Sequence, residues 1–229
     1  MLVYGKNVAL EYLNESKKIN KVFIQNNFNE QDILKKINNK SINYKVLSKY
    51  EMDNKVKGLH QGIILDVPDY KYATLEDIID GENLIVMLDH LEDPHNFGAI
   101  IRTCECAGVN YIIIPRNRSV SVNSTVYKTA SGALSHMKIV EVVNLSNTIN
   151  KLKDMGYWVY AADMDGKDYR EIDYSGKTAL IIGSEGRGIK HNLIENSDMV
   201  VSLPMKGKIN SLNASVAAGI LIYEIMKYK

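Results

Sequence analysis

The chain has 229 residues, 45% hydrophobic and 24% charged, with 28 Lys+Arg against 27 Asp+Glu and a formal net charge of +1. Such a chain is long enough for one large or two modest domains that bury a core without disulfide or metal staples, which excludes a small stapled scaffold. No run approaches the ~18 consecutive apolar residues of a membrane span, and the opening MLVYGKNVALEYLNESKK lacks a signal peptide's basic start and apolar core; a cytoplasmic, non-membrane protein is expected.

The first 67 residues alternate helical and extended patterns. A helix is expected near 6–15, a strand at KVFIQ (21–25), a helix near 30–38 and a strand at YKVL (44–47). Ser48 and Glu51 form an S-x-x-E capping box for a short helix, and GIILDV (62–67) closes the block as a nearly unbroken apolar strand. This predicts a small α/β domain over 1–67. Residues 1–60 carry eleven lysines against six acids, which leaves the rest of the chain at minus four. A basic first quarter suits a polyanion such as nucleic acid, and a solvated Lys/Asn-rich surface gives the same count.

PDYKYA (68–73) has a proline and no periodicity, so a linker is placed at 68–75. A new helix is expected from Thr74-x-x-Asp77, and a second domain over 76–229. There the chain repeats strand then helix, with strands at 84–89, 111–115, 138–142, 158–163, 178–183 and 200–204. Short continuous apolar strands separated by amphipathic helices mean a parallel sheet covered on both faces, with ligands outside the carboxyl ends of its strands. The last helix, expected from Ser211 to Tyr228, is apolar around most of its circumference, so a second subunit is a candidate to cover it.

Three loops at strand ends could carry chemistry. No G-x-G-x-x-G or G-x-x-x-x-G-K-[ST] is present, so no standard nucleotide loop is supported. In DHLEDPHNFGAIIRTCECAG (89–108), Asn96 can cap a helix, Gly98 permits close backbone approach, and Arg102 either pairs with Glu105 on the surface or acts in a site. Cys104 and Cys106 point to different helical faces, and the five histidines lack ligand spacing, so no metal is expected. GSEGRG (183–188) is a strand-to-helix turn whose Glu185 would repel a phosphate, favouring a neutral or cationic ligand or a brace to a neighbouring chain. In PMKGKINSLNASVAAG (204–219), Ser211 or Asn210 is the expected N-cap, and Asn213, a mediocre helix former, needs partners in the first turn.

Taken together and in this order, N-F-G-A-I-I-R, G-S-E-G-R-G and P-M-x-G-x-x-x-S-L-N-A-S-V-A-A-G resemble the three motifs of the SpoU/TrmH family of S-adenosylmethionine-dependent RNA 2′-O-ribose methyltransferases. VYGKNVALEYL and HQGII (60–64) further resemble the ribosomal-protein-like substrate-binding domain of the subgroup that modifies a guanosine in the peptidyl-transferase region of large-subunit rRNA. The resemblance implies a SPOUT fold, a parallel α/β sheet whose C-terminal part is threaded into a trefoil knot, and a homodimer through that knot in which one subunit completes the other's site. It implies active-site roles for Asn96, Arg102, Glu185, Ser211 and Asn213, and contacts from Gly183, Ser184, Gly188, Leu203, Met205 and Leu212 to S-adenosyl-L-methionine. Ala214 departs from the valine common in relatives and touches no catalytic role.

Because a guanidinium stays protonated in nearly every protein environment, Arg102 is expected to hold the target phosphate and stabilise charge on the 2′-oxygen rather than act as a free base. Arg116 and Arg118, with Lys6 in the basic N-terminal block, are the candidate RNA contacts; DNA is not expected as a partner. Methylation of tRNA or of another rRNA nucleotide, a catalytically silent RNA-binding assembly factor, and a metabolic nucleotide-binding enzyme are the competing readings.

Overall fold

The computed structural model describes residues 1–78 and 81–229. Its first sheet contains β1 (Leu2–Tyr4), β2 (Lys21–Gln25), β3 (Tyr44–Leu47) and β4 (Ile63–Asp66), in the order β1-β4-β2-β3. β4 runs antiparallel to β1 and β2, and β3 runs parallel to β2. The period-2 alternation of the strands decides what lies on each face. Val22, Ile24, Ile63 and Leu65 join the apolar residues of α1 (Lys6–Asn14) and α2 (Gln31–Asn39). Phe23, Ile64 and Leu47 instead pack with Met52 of α3 (Lys49–Lys55). The Ser48–Glu51 capping box forms as the sequence predicts.

The second sheet is parallel throughout. β5 (Leu84–Asp89), β6 (Tyr111–Pro115), β7 (Lys138–Val142), β8 (Trp158–Asp168), β9 (Thr178–Gly183) and β10 (Met199–Ser202) lie in the order β10-β8-β9-β5-β6-β7. Val86, Leu88, Ile112, Leu180 and Ile182 face α4 (Pro94–Cys106), α5 (Ser124–Ala130) and α8 (Ala214–Met226). Ile85, Met87, Ile113, Ala179 and Ile181 face α6 (Leu145–Asp154) and α7 (His191–Glu195). The chain winds outward from β5 through β6 and β7, then returns to fill the other side. This makes the β5/β9 boundary the topological switch point, where ligands of open α/β sheets bind.

Several boundaries differ from those read in the sequence. β8 runs to Asp168 rather than ending at 163, because it pairs with β10 twice. Tyr160 and Ala161 face Met199 and Val200, whereas Lys167 and Asp168 face Val201 and Ser202, so residues 162–166 are extruded between the two paired stretches. Gly166 has to be glycine there, since a Cβ would come within 2.6 Å of the Val200 and Val201 backbone. The helix expected from Thr74 is a single capped 3-10 turn, Leu75–Asp77, and its continuation through 79–80 falls outside the described residues.

The segment expected as a linker is a strap. Tyr70 donates to Met137 O at 3.3 Å and accepts from Ile139 N at 3.2 Å, Val122 N donates to the Tyr72 hydroxyl at 2.8 Å, and Ala73 bridges to Val140 beside β7. Tyr12 of α1 stacks obliquely on Tyr127 of α5 with centroids 6.0 Å apart, and Lys17 and Ser135 both bond the buried Glu11 carboxylate. One apolar core therefore runs from α1 and α2 through α5 into the second sheet.

Candidate active site

The site is built where β5 and β9 end side by side, with Asp89 and Gly183 as register partners. Beyond β5 the chain turns into α4. Asp93 caps that helix through His95 N at 3.1 Å, and Pro94 occupies its first turn. The cap is therefore Asp93 rather than the expected Asn96, which sits one residue past His95, buried and free of capping duty. Pro94 at a first-turn position costs no hydrogen bond and fixes the entry angle, which is why the sequence breaks at Asp93-Pro94 and not at Asn96.

Beyond β9, Ser184 and Gly188 bond each other across a tight loop, with Gly188 N donating to Ser184 O at 2.9 Å. Gly183 admits no side chain, because a Cβ would lie 2.3 Å from the Gly188 carbonyl carbon. The loop closes directly onto the strand end and displays Glu185 at its tip. The sequence leaves Glu185 facing either a neutral or cationic ligand or a neighbouring chain. In the fold its Oε1 accepts from Nδ2 of both Asn96 and Asn213, the latter at 3.2 Å.

Asn213 is the N-cap of α8, accepting from Ser215 N at 2.9 Å, so the helix starts at Ala214 and neither Asn210 nor Ser211 caps it. Two jobs explain the amide. Its oxygen caps the helix, and its Nδ2 donates to Asn96 Oδ1 at 2.9 Å and to Glu185. The three side chains come from three loops and form a polar triad in which both N–H groups of Asn213 and one of Asn96 are donated to acceptors within it.

Beside the triad lies an open cleft of about 500 Å³, within the range of small-molecule sites. The predicted cofactor residues Gly183, Ser184, Gly188, Leu203, Met205 and Leu212 all line it, as do Glu185 and Ser211. Its remaining wall comes from the extruded segment of β8, with Asp163, Met164 and Asp165, which sequence reading missed. The D-x-D-G run at 163–166 was the available signal for a turn inside the strand. Among the described residues, no cluster of three or more metal-ligating side chains occurs and no helix is long and apolar enough to cross a membrane.

Four predicted residues lie apart from the cleft. Arg102 is exposed on the outer side of α4, makes no ion pair with Glu105, and does not line the cleft. α4 packs on α8, where Val216, Ile220 and Tyr223 are 50%, 37% and 53% exposed. This exposed stripe is the part of α8 for which a second subunit is the candidate cover. Cys104, on the inner side of α4, is fully buried; desolvation pushes its thiol far above the ordinary range, which leaves it inert. Arg116 is held by Glu141 at 2.8 Å and Lys6 by Glu30, whereas Arg118 lies on the far side of the glycine loop from the cleft.

A glycine-closed loop and a capping asparagine gathered at the switch point of a parallel sheet define a ligand-binding α/β protein without a standard dinucleotide loop. The SpoU rRNA Methylase family matches residues 83–223, and the domain described as RNA 2′-O ribose methyltransferase substrate binding matches residues 2–73. The chain belongs to the SpoU rRNA methylase family and is an RNA methyltransferase. It is 37% identical over 235 residues to YacO of Bacillus subtilis (strain 168), named for the TrmH family of tRNA/rRNA methyltransferases, covering 98% of this chain and 94% of that one. A Staphylococcus haemolyticus protein named for the same family is also 37% identical, covering 99% and 95%. The fold is shared with an AdoMet-bound rRNA methyltransferase from Sinorhizobium meliloti, at a TM-score of 0.83 and 24% identity over 99% of this chain and 87% of that one. It is likewise shared with the SpoU methyltransferase AviRb of Streptomyces viridochromogenes, solved with AdoMet, at a TM-score of 0.82 and 19% identity over 99% and 89%.

Proposed function

We propose that the chain methylates a ribose 2′-oxygen of RNA with S-adenosyl-L-methionine, and that its substrate is a guanosine in the peptidyl-transferase region of large-subunit rRNA. The observation that carries the chemistry is the Asn96–Glu185–Asn213 triad, whose Glu185 lines the cleft. The residues fit the cofactor. Leu203, Met205 and Leu212 offer apolar surface to an adenine ring, the Gly183–Gly188 closure brings bare backbone to the wall, and Asp163, Asp165 and Glu185 suit a ligand with cationic centres.

Bound there, the cofactor supplies an electrophilic sulfonium methyl. The protein's task is to align a ribose hydroxyl in line with it and to manage one proton. Ser211, exposed on the cleft rim, is assigned to position the ribose, and the triad to hold the motif loops in register. Arg102 is assigned to the RNA phosphate and to charge developing on the 2′-oxygen. Its exposure outside the cleft lining supports a homodimer in which Arg102 serves the partner's site, with the Val216–Ile220–Tyr223 stripe at the contact. A trefoil knot in the C-terminal part of the chain belongs to the same reading.

Methyl transfer to large-subunit rRNA from a strain lacking this gene, mapped by primer extension at limiting nucleotide, tests the proposal. A single stop at a peptidyl-transferase-loop guanosine supports reaction and substrate together. Incorporation into bulk tRNA instead keeps the chemistry and overturns the substrate, and silence on all RNA with retained cofactor binding overturns both.

A further inference from the structure

A second cavity, of about 300 Å³, opens on the other side of the glycine loop, between the ends of β5, β6 and β7. Its lining includes Arg118, Lys190, His90, Asn117, Ser146 and Asn192 and contains no carboxylate. The neighbouring space beside Glu185 is of the opposite net sign, with Glu92, Asp93 and Glu185 against the single cation Arg187. The first turn of α6 adjoins it; Asn144 caps Asn147 N at 3.1 Å, and the amides ahead of it have no intrahelical acceptor, as in any first turn.

The cations are positioned rather than merely present. The Lys190 backbone N–H donates to the buried Asp89 carboxylate at 2.7 Å, and the other Asp89 oxygen contacts His90 Nδ1. With Nδ1–H committed to Asp89, His90 Nε2 is left as an acceptor facing Lys190 Nζ at 3.0 Å. Asp89 and His90 thus fix both ends of Lys190. His90 and Arg118 are also two of the few non-glycine residues with left-handed backbone, at φ 54° and 55°. Two such residues on the rim of one cavity mean the chain accepts local strain to shape it. Among the described residues Arg118 has no hydrogen-bond or ion-pair partner, in contrast to Arg116.

We propose that this cavity binds a phosphate group, shared between Arg118 and Lys190, and that the group is a phosphodiester of the RNA strand leading away from the nucleotide being methylated. The inference rests on the reading of the chain as an RNA methyltransferase. It adds Lys190 as a substrate-binding residue, with Asp89 and His90 as the residues that position it. Phosphate contacts set register without reading sequence, so the subsite anchors the strand and leaves base choice to the neighbouring cleft.

Two measurements on the full-length protein test it. The first is the slope of log K against log salt for binding transcribed large-subunit rRNA, in wild type, Arg118→Gln, Lys190→Gln and the double variant. Each neutralised phosphate contributes about 0.7 to 0.9 to that slope. One phosphate shared by two cations predicts that the double variant loses a single increment and that each single variant loses no more than that, with cofactor affinity unchanged. A loss of two increments in the double variant means two separate phosphates and overturns the shared subsite; an unchanged slope in the double variant overturns the RNA assignment.

The second measurement titrates inorganic phosphate against the amide spectrum, following Ser146 and Asn192. Saturable shifts that vanish in the double variant are expected. Such shifts with an unchanged RNA slope assign the cavity to a free anion and overturn the phosphodiester. If the wild type binds no RNA, the functional reading fails by itself, and the phosphate titration still decides the cavity; no shift there overturns the subsite entirely.

Discussion

Asn213 and Asn96 lie 117 positions apart in the chain, and Asn213 Nδ2 donates to Asn96 Oδ1 at 2.9 Å. Glu185 closes the arrangement by accepting from both amides, so the first, second and third polar loops meet at one carboxylate oxygen. Loss of that carboxylate leaves two amide donors without their shared acceptor. Glu185→Ala is therefore expected to lower kcat by roughly 10- to 150-fold, equivalent to about 1.5–3 kcal/mol for a charged hydrogen-bond acceptor. Glu185→Gln keeps an acceptor oxygen and should lose less. Equal losses for the two would show that the negative charge, not the pairing, is what matters.

The two jobs of Asn213 can be separated. Asn213→Ser keeps a capping oxygen for Ser215 N but removes the Nδ2 donor, whereas Asn213→Ala removes both. Only the alanine variant should lower the unfolding free energy, by about 1 kcal/mol for a lost N-cap and seen as a lower urea midpoint, while both should lower methyl transfer. A serine variant with wild-type turnover would remove the triad from the mechanism.

If Arg102 serves the partner's cleft, inactive variants should complement. Mixing Arg102→Ala with Glu185→Ala under conditions that exchange subunits gives about half heterodimers, each with one intact site, and so about a quarter of wild-type activity. Action within one subunit gives no recovery at all. Arg102→Lys alone should retain little activity, because an ammonium lacks the planar fork that grips phosphate in two places.

The α8 stripe tests the assembly directly. Val216→Glu with Ile220→Lys places charges at positions already half open to solvent, so the fold should survive with a melting temperature near that of wild type. Sedimentation should then report a monomer, and methyl transfer should be lost. A dimer that persists in the double variant places the interface elsewhere.

The strap between the two sheets is expected to fail on the alkaline side. Burial pushes Tyr70 up to about 12, against the ordinary ~10 of an unfolded tyrosine. Its stabilising contribution is complete below pH ~10 and declines as pH rises from there to about 12, because the unfolded chain releases the proton first. Tyr12 and Tyr127 are displaced upward by burial too, so the decline is steeper than one group would cause. Tyr70→Phe gives up bonds to Met137 and Ile139, costs about 1 kcal/mol at pH 8, and should flatten the fall in urea midpoint above pH 10. An identical alkaline slope in the variant would acquit Tyr70.

The parallel sheet was legible in the chain because strands buried on both faces must be continuously apolar, and LIVMLD, YIIIP and TALIIG admit little else. The motif loops were legible because glycine and asparagine stand where helix and strand formation disfavour them. Even so, the sequence assigned the caps wrongly. Whether Asn96 or Asp93, and Ser211 or Asn213, satisfies a helix end depends on which side chain is free once the loops converge, and local propensity treats all of these as good caps. Long-range geometry alone decided three further features: the meeting of Asn96 with Glu185, the extrusion of Asp163–Asp165 into the cleft wall, and the pairing of Asp89 and His90 with Lys190 a hundred residues on. A sequence specifies which groups need partners by their burial and polarity; which partners they find is settled only when strands distant in the chain become neighbours in the sheet.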